Sequence, residues 1–304
     1  MSFQPIFLWC LPMLVVAGPA SPALGRRVAE LLEADLASVE WKLFPDGESY
    51  IRLPRDLKGE RVVIVQSTPP PQDKRLMELF FLVDLVKDLG ASEVIAVVPY
   101  LAYMRQDKRF MSGEAVSIKV VAKLLESVGV DAVVLVDSHS KIVCEHFNVD
   151  VIEVSAMPLI GEYFAKMKLP NPFVLAPDAK AFSMIKVVAE KLGAPCDYLK
   201  KVRDRVTGEV KTFFKEVDVE GREVIIVDDI ISTGGTIANA ARIALDLGAS
   251  CVYASCTHAL LVGGALDKLR KAGVSEVVGT DTIESDFSKV SVAPTIVQAL
   301  KRNL

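Results

Sequence analysis

Two adjacent carboxylates followed by a glycine loop form the segment of this sequence with the clearest chemical meaning. Asp228 and Asp229 follow the apolar run Val224–Val227, and the loop Ser232–Thr236 comes shortly after them. The residues beyond the loop have a helical pattern that ends near Gly248. A strand, a glycine loop and a helix N-terminus together direct backbone N–H groups and a positive helix end at one anion. Carboxylates beside such an anion site suit a phosphorylated polyol, because they accept hydrogen bonds from neighbouring hydroxyls.

This loop has a structural and a functional interpretation. An acidic cluster after a core strand also occurs as a helix cap, but a cap uses a single Asp, Ser or Thr, so the pair favours a ligand. A nucleotide P-loop is excluded, because no Gly-Lys-Ser/Thr ending follows the glycines. The segment Val227–Thr236 resembles the phosphoribosyl-diphosphate loop of type I phosphoribosyltransferases and of ribose-phosphate pyrophosphokinases. On its own, the loop does not separate these two classes.

Two segments of the first half are suited to a nucleotide. Phe44–Glu48 places two carboxylates around a turn between predicted strands, although Pro-Asp-Gly is also an ordinary turn. Pro99–Phe110 follows the predicted strand Val94–Val98 and combines aromatic with cationic side chains. Such a loop can stack on an aromatic base and neutralise a polyphosphate. A solvated charge cluster has no need of interleaved aromatic residues, so this loop favours nucleotide binding.

Further charged residues lie where predicted strands end. Asp137 and His139 end a strand of the first half and can face one way, and Asp178 follows a strand of the second half. A histidine with nearby carboxylates can bind Mg²⁺ or water held by it, although oxygen ligands are usual and a lone histidine is an ordinary core or loop residue. The run Lys200–Arg205 is either a surface charge cluster or a lid that brings cations onto a transferring phosphoryl group.

Apolar strands alternate with amphipathic helices almost throughout the chain. The predicted strands are Leu14–Ala17, Val62–Gln66, Val94–Val98, Ala132–Val136, Phe173–Ala176, Val224–Val227, Cys251–Cys256 and Glu276–Gly279. The predicted helices include Pro22–Glu33, Gln72–Leu89, Ser117–Val128, Ala181–Leu192, Gly235–Leu247 and Ala265–Ala272. This alternation is typical of parallel sheets covered on both faces, in which ligands bind at the carboxyl ends of strands. The halves share one plan, so we expect a duplicated α/β fold with its boundary near Val154–Pro158 and the active site between the copies.

Composition and charge narrow the class of protein. The 304 residues suffice for two domains of about 150 residues each. An apolar content of 51% and a mean hydropathy of +0.35 favour a subunit interface. A net charge of −4 without a basic run argues against nucleic acid as a partner. The five cysteines show no metal-ligand spacing, so we expect free thiols in a reducing compartment.

The first twelve residues form a separate case. Residues 2–14 are apolar enough to pass for a signal sequence, yet they lack a basic start and are too short to span a bilayer. Met13–Gly18 already has the pattern of the first core strand. We therefore expect residues 1–12 to be an extension or a mis-assigned start, and the protein to be cytoplasmic with no membrane partner.

Taken in order, these segments resemble the ribose-phosphate pyrophosphokinases, also called phosphoribosyl-diphosphate synthetases, and most closely their archaeal branch. The resemblance runs from about Met13 to the C-terminus. It is most specific in Phe44–Arg52, Pro99–Ser117 and Val227–Thr236. It implies transfer of the β,γ-diphosphoryl group of ATP to the anomeric 1-hydroxyl of ribose 5-phosphate. The products are 5-phosphoribosyl 1-diphosphate, used in nucleotide biosynthesis, and AMP.

The resemblance also implies an architecture and a role for each matching residue. The fold would be two tandem phosphoribosyltransferase-like (type I) domains, each a mainly parallel sheet flanked by helices. Residues 13–155 would form the N-terminal domain with the ATP site, and residues 156–304 the C-terminal domain with the ribose 5-phosphate site. ATP would be bound by Phe44, Asp46, Glu48, Arg105, Gln106 and Asp107. Ribose 5-phosphate would be bound by Asp228, Asp229, Ser232, Thr233, Gly234, Gly235 and Thr236.

The remaining implied roles concern catalysis, metal and assembly. His139 and Asp178 match positions associated with Mg²⁺, the implied cofactor. Lys201 and Arg203 match cations of a flexible loop that stabilise the transition state. The neighbouring subunit supplies part of the ATP site in this family, so the resemblance implies a homo-oligomer.

The sequence departs from the family pattern at two positions. The family usually has glycine within two or three residues of Asp178, whereas this chain has Lys180 nearby, which could crowd the sugar or add a cation. Ser232 stands where many members have Asp, a change that suits a phosphate loop.

Three other functions compete with this one. A type I phosphoribosyltransferase explains the loop at 228–236 but leaves the first half without a role. A catalytically silent homologue that regulates an active synthetase is disfavoured, because His139, Lys201 and Arg203 are all present. A DNA-binding regulator is disfavoured by the acidic balance and by the lack of a helix-turn-helix pattern.

Overall fold

The computed structural model describes residues 13–203, 210–213 and 217–303, and the chain forms two compact units. The first unit contains the chain up to Val154 together with the final segment from Ala293, and the second contains Ser155–Val292. The predicted extension, residues 1–12, lies outside the described residues.

The helices and strands are numbered in chain order. Before Val154 the strands are β1 (Met13–Ala17), β2 (Asp35–Ala37), β3 (Glu40–Leu43), β4 (Ser49–Arg52), β5 (Arg61–Val65), β6 (Glu93–Val98), β7 (Ala132–Val136) and β8 (Asp150–Val154). The helices among them are α1 (Pro22–Leu32), α2 (Gln72–Asp88), α3 (Ser117–Ser127) and α4 (Ile142–Glu145). After Val154 the strands are β9 (Pro172–Ala176), β10 (Cys196–Tyr198), β11 (Lys200–Arg203), β12 (Val210–Phe213), β13 (Glu223–Ile231), β14 (Cys251–Ala259), β15 (Glu276–Thr280) and β16 (Ser288–Val290). The helices of this part are α5 (Met157–Met167), α6 (Phe182–Leu192), α7 (Gly235–Asp246), α8 (Ala265–Lys271) and α9 (Ala293–Asn303).

The two units repeat one topology. In the described part of the chain, one six-stranded sheet has the order β2-β1-β5-β6-β7-β8 and the other the order β10-β9-β13-β14-β15-β16, with all neighbours parallel. Each sheet therefore follows the sequence second, first, third, fourth, fifth, sixth along its own unit. Each unit also has an antiparallel hairpin, inserted along the chain between its second and third sheet strands. The hairpin is β3–β4 in the first unit and β11–β12 in the second. The shared topology confirms the predicted duplicated α/β plan with mainly parallel sheets.

The strands form where β-branched and other apolar residues run together. Val62–Val65 in the first unit and Val224–Val227 in the second are fully buried. Their side chains are shielded on both faces, because helices such as α2 and α7 pack against the strands. Leu79 and Val83, one turn apart on α2, are likewise fully buried. Each unit thus has its own apolar core, and polar side chains collect where the strands end.

The predicted strands are all present, with one change that concerns the site. β7 has the predicted bounds, whereas β13 runs on to Ile231 instead of ending at Val227. Asp228 and Asp229 therefore lie within the last part of the strand and not after it. The extension follows from continued pairing with β14, in which Ile231 lies opposite Ala259.

The final helix groups with the first unit, whereas the domain bounds implied by the resemblance place it in the C-terminal domain, residues 156–304. Ile296 and Leu300 of α9 are fully buried, and α9 packs against α1 and β8. Lys301 Nζ also donates a hydrogen bond to the carbonyl oxygen of Leu31, 3.2 Å away. The apolar face of α9 covers α1, so spatial grouping differs from chain order here.

Two further observations concern the described residues. Their four cysteines, Cys144, Cys196, Cys251 and Cys256, are free thiols, as predicted. Along the same ranges, no helix is both long and apolar enough to cross a bilayer.

Candidate active site

The turn of the β3–β4 hairpin carries three of the residues predicted to bind ATP: Phe44, Asp46 and Glu48. The N–H of Phe44 donates to the carbonyl of Glu48 over 2.9 Å, and Gly47 takes the left-handed φ of 96° that the turn requires. Asp46 Oδ1 accepts a hydrogen bond from the N–H of Glu48 at 3.2 Å. All three predicted side chains are exposed. The turn therefore presents an aromatic ring and two carboxylates on its surface.

The loop after β6 exposes Arg105 and Gln106 above a buried anchor. Tyr100 is 6% exposed, and its carbonyl accepts hydrogen bonds from both the N–H and the Oγ1 of Thr68, at 2.8 and 3.0 Å. Burial raises the pKa of Tyr100, and the nearby Arg105 cation offsets part of that rise. Gln106 Oε1 accepts a hydrogen bond of 2.6 Å from Ser117 Oγ. The exposed Arg105 and Gln106 thus follow a buried and hydrogen-bonded segment of the loop.

Asp107 differs from these two neighbours because its side chain is buried. Its carboxylate accepts a hydrogen bond from Ser140 Oγ, and its carbonyl oxygen lies 2.7 Å from His146 Nε2. The residue therefore ties the loop after β6 to the turn after β7. Its predicted contact with ATP stays a prediction.

The turn after β7 presents His139. Asp137 takes a left-handed φ of 41°, which is unfavourable for a residue with a side chain. Both the N–H and the Oγ of Ser138 donate to Glu153 Oε1, the N–H over 2.9 Å. Ser140 is bonded to the loop after β6. His139 is exposed and lies between these two anchored serines, so its backbone position is fixed from both sides.

The acidic pair of the second unit lies at the end of the buried part of β13. The N–H of Asp229 donates to Asp228 Oδ1 over 3.0 Å, and both side chains are half-buried. Burial raises the pKa of Asp228 to about 8, and the negative charge of Asp229 adds to the rise. Because the pKa of Asp228 is raised, the pair carries less than its full negative charge near neutral pH until a ligand or cation relieves the repulsion.

The loop Ser232–Thr236 leads from this pair into α7. Gly234 occupies the N-cap position with a left-handed φ of 71°, and it has no side chain to cap the helix. A Cβ atom at Gly234 would lie 3.3 Å from Leu269, whereas one at Gly235 would meet no atom within 4 Å. The start of α7 thus has no side-chain cap, and a side chain at Gly235 would point into open space. This is the arrangement that binds phosphate at helix N-termini.

The backbone carbonyl groups at the start of this loop accept hydrogen bonds from residues in and before α8. Leu261 N–H donates to the carbonyl of Ile231, and Val262 N–H donates to that of Ser232, each over 3.0 Å. Lys268 Nζ on α8 donates to the carbonyl of Thr233 over 2.8 Å. These bonds turn the carbonyl dipoles towards the α8 side. We had not predicted Lys268, since a lysine on a short helix has no distinctive sequence signal.

Asp178 follows β9 and begins the turn into α6. Its Oδ1 accepts hydrogen bonds from the N–H groups of Lys180 at 3.0 Å and Ala181 at 3.4 Å. Its negative charge also contributes to the raised pKa of Asp228. The second unit therefore brings three predicted residues, Asp178, Asp228 and Asp229, within electrostatic reach of one another. Lys180 itself is exposed.

The predicted lid cations lie on the β11–β12 hairpin. Lys201 pairs with Thr212, and Arg203 with Val210, in its antiparallel register. The side chains of Lys201 and Arg203 and residues 204–209 lie outside what the structure describes. Their predicted role therefore stays a prediction.

Comparison with known proteins covers both units. Residues 13–129 match the family model described as the N-terminal domain of ribose phosphate pyrophosphokinase, and residues 148–293 match the phosphoribosyl transferase domain model. The ribose-phosphate pyrophosphokinase of Methanothermobacter thermautotrophicus is 48% identical over 289 residues, which are 95% of this chain and 100% of that protein. The Saccharolobus solfataricus protein of the same name is 42% identical over 294 residues, 95% of this chain and 100% of that protein.

Comparison of folds gives a similar result over the whole chain. The crystal structure of phosphoribosylpyrophosphate synthetase from Mycobacterium smegmatis matches with a TM-score of 0.84 and 29% sequence identity. The match covers 95% of this chain and 98% of that one.

The raised pKa of Asp228 predicts a pH-dependent stability. An unfolded carboxyl ionises near pH 4, whereas Asp228 in the folded protein keeps its proton up to about pH 8. Wild-type stability should therefore fall, relative to Asp228→Asn, as the pH rises from about 4 through about 8. We expect the free energy of unfolding of the variant, minus that of the wild type, to grow by at least about 1 kcal/mol between pH 5 and pH 8. Urea denaturation of both proteins at each pH measures this difference, and an equal difference at both would contradict the assignment.

Proposed function

The chain belongs to the ribose-phosphate pyrophosphokinase family, and on that premise we propose how its residues form 5-phosphoribosyl 1-diphosphate from ribose 5-phosphate. The enzyme is a ribose-phosphate diphosphokinase (EC 2.7.6.1) of nucleotide biosynthesis. The single observation that supports our residue assignment best is the Asp228–Asp229 pair beside the uncapped start of α7. This one place offers hydrogen-bond acceptors for hydroxyls and N–H donors for a phosphate.

Ribose 5-phosphate has both groups that this site would bind, namely hydroxyls for the carboxylates and a phosphate for the N–H groups. The N–H groups of the loop Ser232–Thr236 would bind the 5-phosphate, while Asp228 and Asp229 would accept hydrogen bonds from the ribose hydroxyls. Binding would then favour the ionised form of the pair, because a carboxylate is the better acceptor. The sugar would be held with its anomeric hydroxyl free to react.

ATP is the proposed diphosphoryl donor. The exposed Phe44, Asp46 and Glu48, together with Arg105 and Gln106, would bind it. The ring of Phe44 suits an adenine base, and the Arg105 cation suits the phosphate chain. Asp107 would act mainly by holding the loop, since its carboxylate already accepts a bond from Ser140.

The anomeric hydroxyl loses its proton to solvent, and its oxygen forms a bond to the β-phosphorus of ATP while the bond from that phosphorus to the α–β bridging oxygen breaks. AMP leaves with that bridging oxygen. Such a transfer depends on positioning and charge neutralisation more than on covalent chemistry. Lys201 and Arg203 would neutralise the transferring group.

The residues present fit Mg²⁺ as the cofactor. In the described residues, no three His, Cys, Asp or Glu side chains form a group that could hold a metal by itself. Mg²⁺ in phosphoryl-transfer sites is commonly held by one or two carboxylates with substrate phosphates and water, and it neutralises the polyphosphate there. Asp178 supplies a carboxylate whose charge already acts on Asp228, and His139 would bind a metal-held water or a phosphate oxygen.

We further propose a cytoplasmic homo-oligomer in which the ATP site is shared between subunits. Several apolar side chains of the β3–β4 hairpin and α2 are exposed, among them Leu43, Phe44, Met77 and Phe81. Exposed apolar groups of this kind commonly mark a subunit interface. The hairpin that carries the ATP residues would then contact the neighbouring subunit.

The activity is tested by the nucleotide product. Incubation with ATP, Mg²⁺ and ribose 5-phosphate should yield AMP and 5-phosphoribosyl 1-diphosphate in equal amounts, measured by ion-exchange chromatography. ADP in place of AMP would indicate an ordinary kinase. The absence of any nucleotide product would support the silent homologue.

The lid assignment predicts a separation between turnover and binding. Lys201→Ala and Arg203→Ala should each lower kcat by about three orders of magnitude while leaving the Kd for ATP nearly unchanged, because both cations act on the transition state. Single-turnover kinetics and equilibrium ATP binding measure the two quantities. An equal loss in ATP affinity would remove these residues from the lid.

The phosphate loop predicts that Gly235→Ala leaves the fold intact and impairs the sugar site. A Cβ at this position meets no protein atom within 4 Å, so the melting temperature should stay within a few degrees of the wild type. The methyl group would enter the space proposed for the 5-phosphate, so the KM for ribose 5-phosphate should rise at least about tenfold. The KM for ATP serves as the internal control. A variant with unchanged KM for ribose 5-phosphate would place the phosphate elsewhere.

A further inference from the structure

Glu78 is a fully buried carboxylate on α2 that contacts both strands of the β3–β4 hairpin. Its Oε1 accepts hydrogen bonds from Trp41 Nε1 on β3 at 3.0 Å and from Ser49 Oγ on β4 at 2.9 Å. Its Oε2 accepts a bond of 2.8 Å from Arg75 Nη1, and Lys74 Nζ lies 3.9 Å from Oε1. One carboxylate therefore joins the helix to both strands of the hairpin.

The same two cations contact the hairpin directly. Lys74 Nζ lies 5.1 Å and the Arg75 guanidinium 5.9 Å from the centre of the Trp41 ring. Both distances are within the range of cation–π attraction. Trp41 is thus held at its N–H by Glu78 and at its ring by the two basic residues. The indole therefore links β3 to α2.

The hairpin depends on this contact for its position. Every residue of β3 is exposed, and a two-stranded hairpin is only marginally stable by itself in water. Its turn carries Phe44, Asp46 and Glu48, which lie at the tip beyond the anchored strands. The direction in which the turn points therefore follows from how Trp41 and Ser49 are bonded.

Stability alone does not account for a charged residue at this buried position. Removing a carboxylate from water is energetically unfavourable, and apolar residues of similar volume often stabilise a core equally well. Glu78 is compensated by two cations and two hairpin donors, which fixes one arrangement of the groups around it. Such an arrangement suits a residue that sets geometry.

We propose that Glu78 is a positioning residue for nucleotide binding: it orients the hairpin so that the turn Phe44–Glu48 meets ATP. This proposal rests on the nucleotide role proposed for that turn. Glu78 itself is buried beneath the hairpin and acts through Trp41 and Ser49. We had not predicted it, because a single acidic residue after Lys74 and Arg75 looks like an ordinary helix-surface charge.

The first test follows the hairpin itself. The sequence has two tryptophans, Trp9 and Trp41, so a Trp9→Phe background leaves Trp41 as the only fluorescent indole. In this background Glu78→Gln removes the charge that holds Arg75 and weakens the bonds to Trp41 and Ser49. We expect the Trp41 emission to shift to longer wavelength and its quenching by acrylamide to increase. Asp84→Asn, an equal charge change at an exposed position of α2, should leave both signals unchanged.

The second test follows the nucleotide. Glu78→Gln should raise the KM for ATP, and the Kd for Mg²⁺–ATP measured by calorimetry, by about tenfold. The KM for ribose 5-phosphate should stay within about twofold of the wild type. Ser49→Ala deletes only the β4 donor and should give a smaller rise of about threefold, so it provides the same comparison if Glu78→Gln does not fold. A merely structural role would lower the active fraction and leave both KM values unchanged.

The outcomes separate this proposal from the function on which it rests. A shift in Trp41 emission together with weaker ATP binding supports it. Unchanged emission overturns the anchoring role, and changed emission with unchanged ATP affinity overturns the positioning role. A wild type that binds ATP and forms no AMP would contradict the proposed function, while the calorimetric comparison of Glu78→Gln with Asp84→Asn would still decide the role of Glu78.

Discussion

The central strands of a parallel sheet covered by helices on both faces accommodate charged side chains most readily near their ends. In this protein the constraint concentrates at the end of the buried part of β13, where Asp228 and Asp229 follow four fully buried residues. Burial and mutual repulsion raise the pKa of Asp228 to about 8. Near neutral pH, its carboxyl group therefore carries a proton at the place where a ligand hydroxyl would donate a hydrogen bond. The open start of α7 lies directly beyond. The proposed sugar site of the second unit rests on this combination of crowded negative charge and a helix start without a side-chain cap.

The repeated topology gives the two units equivalent frames, and our proposal assigns a different substrate to each. Each unit has the same strand order and the same insertion point for a hairpin. In the first unit that hairpin carries the Phe44–Glu48 turn, and in the second it carries Lys201 and Arg203. The sheets provide equivalent frames, and the inserted hairpins provide the differences. In the proposed function, the hairpin of the first unit would bind the diphosphoryl donor, and the hairpin of the second unit would carry the catalytic cations.

The parts of the fold that sequence predicts are those governed by local patterns. Runs such as Ala132–Val136 are identified because continuous β-branched residues have one stable arrangement in an α/β fold. The length of β13 was underestimated because two carboxylates interrupt its apolar pattern, whereas its ladder with β14 continues past them. The spatial grouping of α9 differs from the predicted domain bounds, because chain order does not specify which helix a buried face will cover. The resemblance identified the family, which the comparisons support over nearly the full length of the chain.

The supporting contacts of the candidate site were beyond sequence reasoning for a different reason. Glu78, Glu153 and Lys268 are ordinary charged residues in the sequence, and their hydrogen-bond partners are distant along the chain. Glu78 bonds residues 29 and 37 positions away, Glu153 one 15 positions away and Lys268 one 35 positions away. Only the folded arrangement shows that each one holds a segment with candidate binding residues. Asp107 shows a related difference: it was predicted as a binding residue together with Arg105 and Gln106, but its carboxylate is buried against Ser140 whereas these two neighbours are exposed.

The central claim is that the Asp228–Asp229 pair is partly protonated without ligand and binds ribose 5-phosphate as carboxylates. The most direct measurement is calorimetry of ribose 5-phosphate binding near pH 7, below the raised pKa of Asp228, in two buffers of different ionisation enthalpy. The account predicts that the wild type releases protons to the buffer on binding and that Asp228→Asn releases markedly fewer. Binding heats that are the same in both buffers, or proton release that is equal in the wild type and the variant, would contradict it.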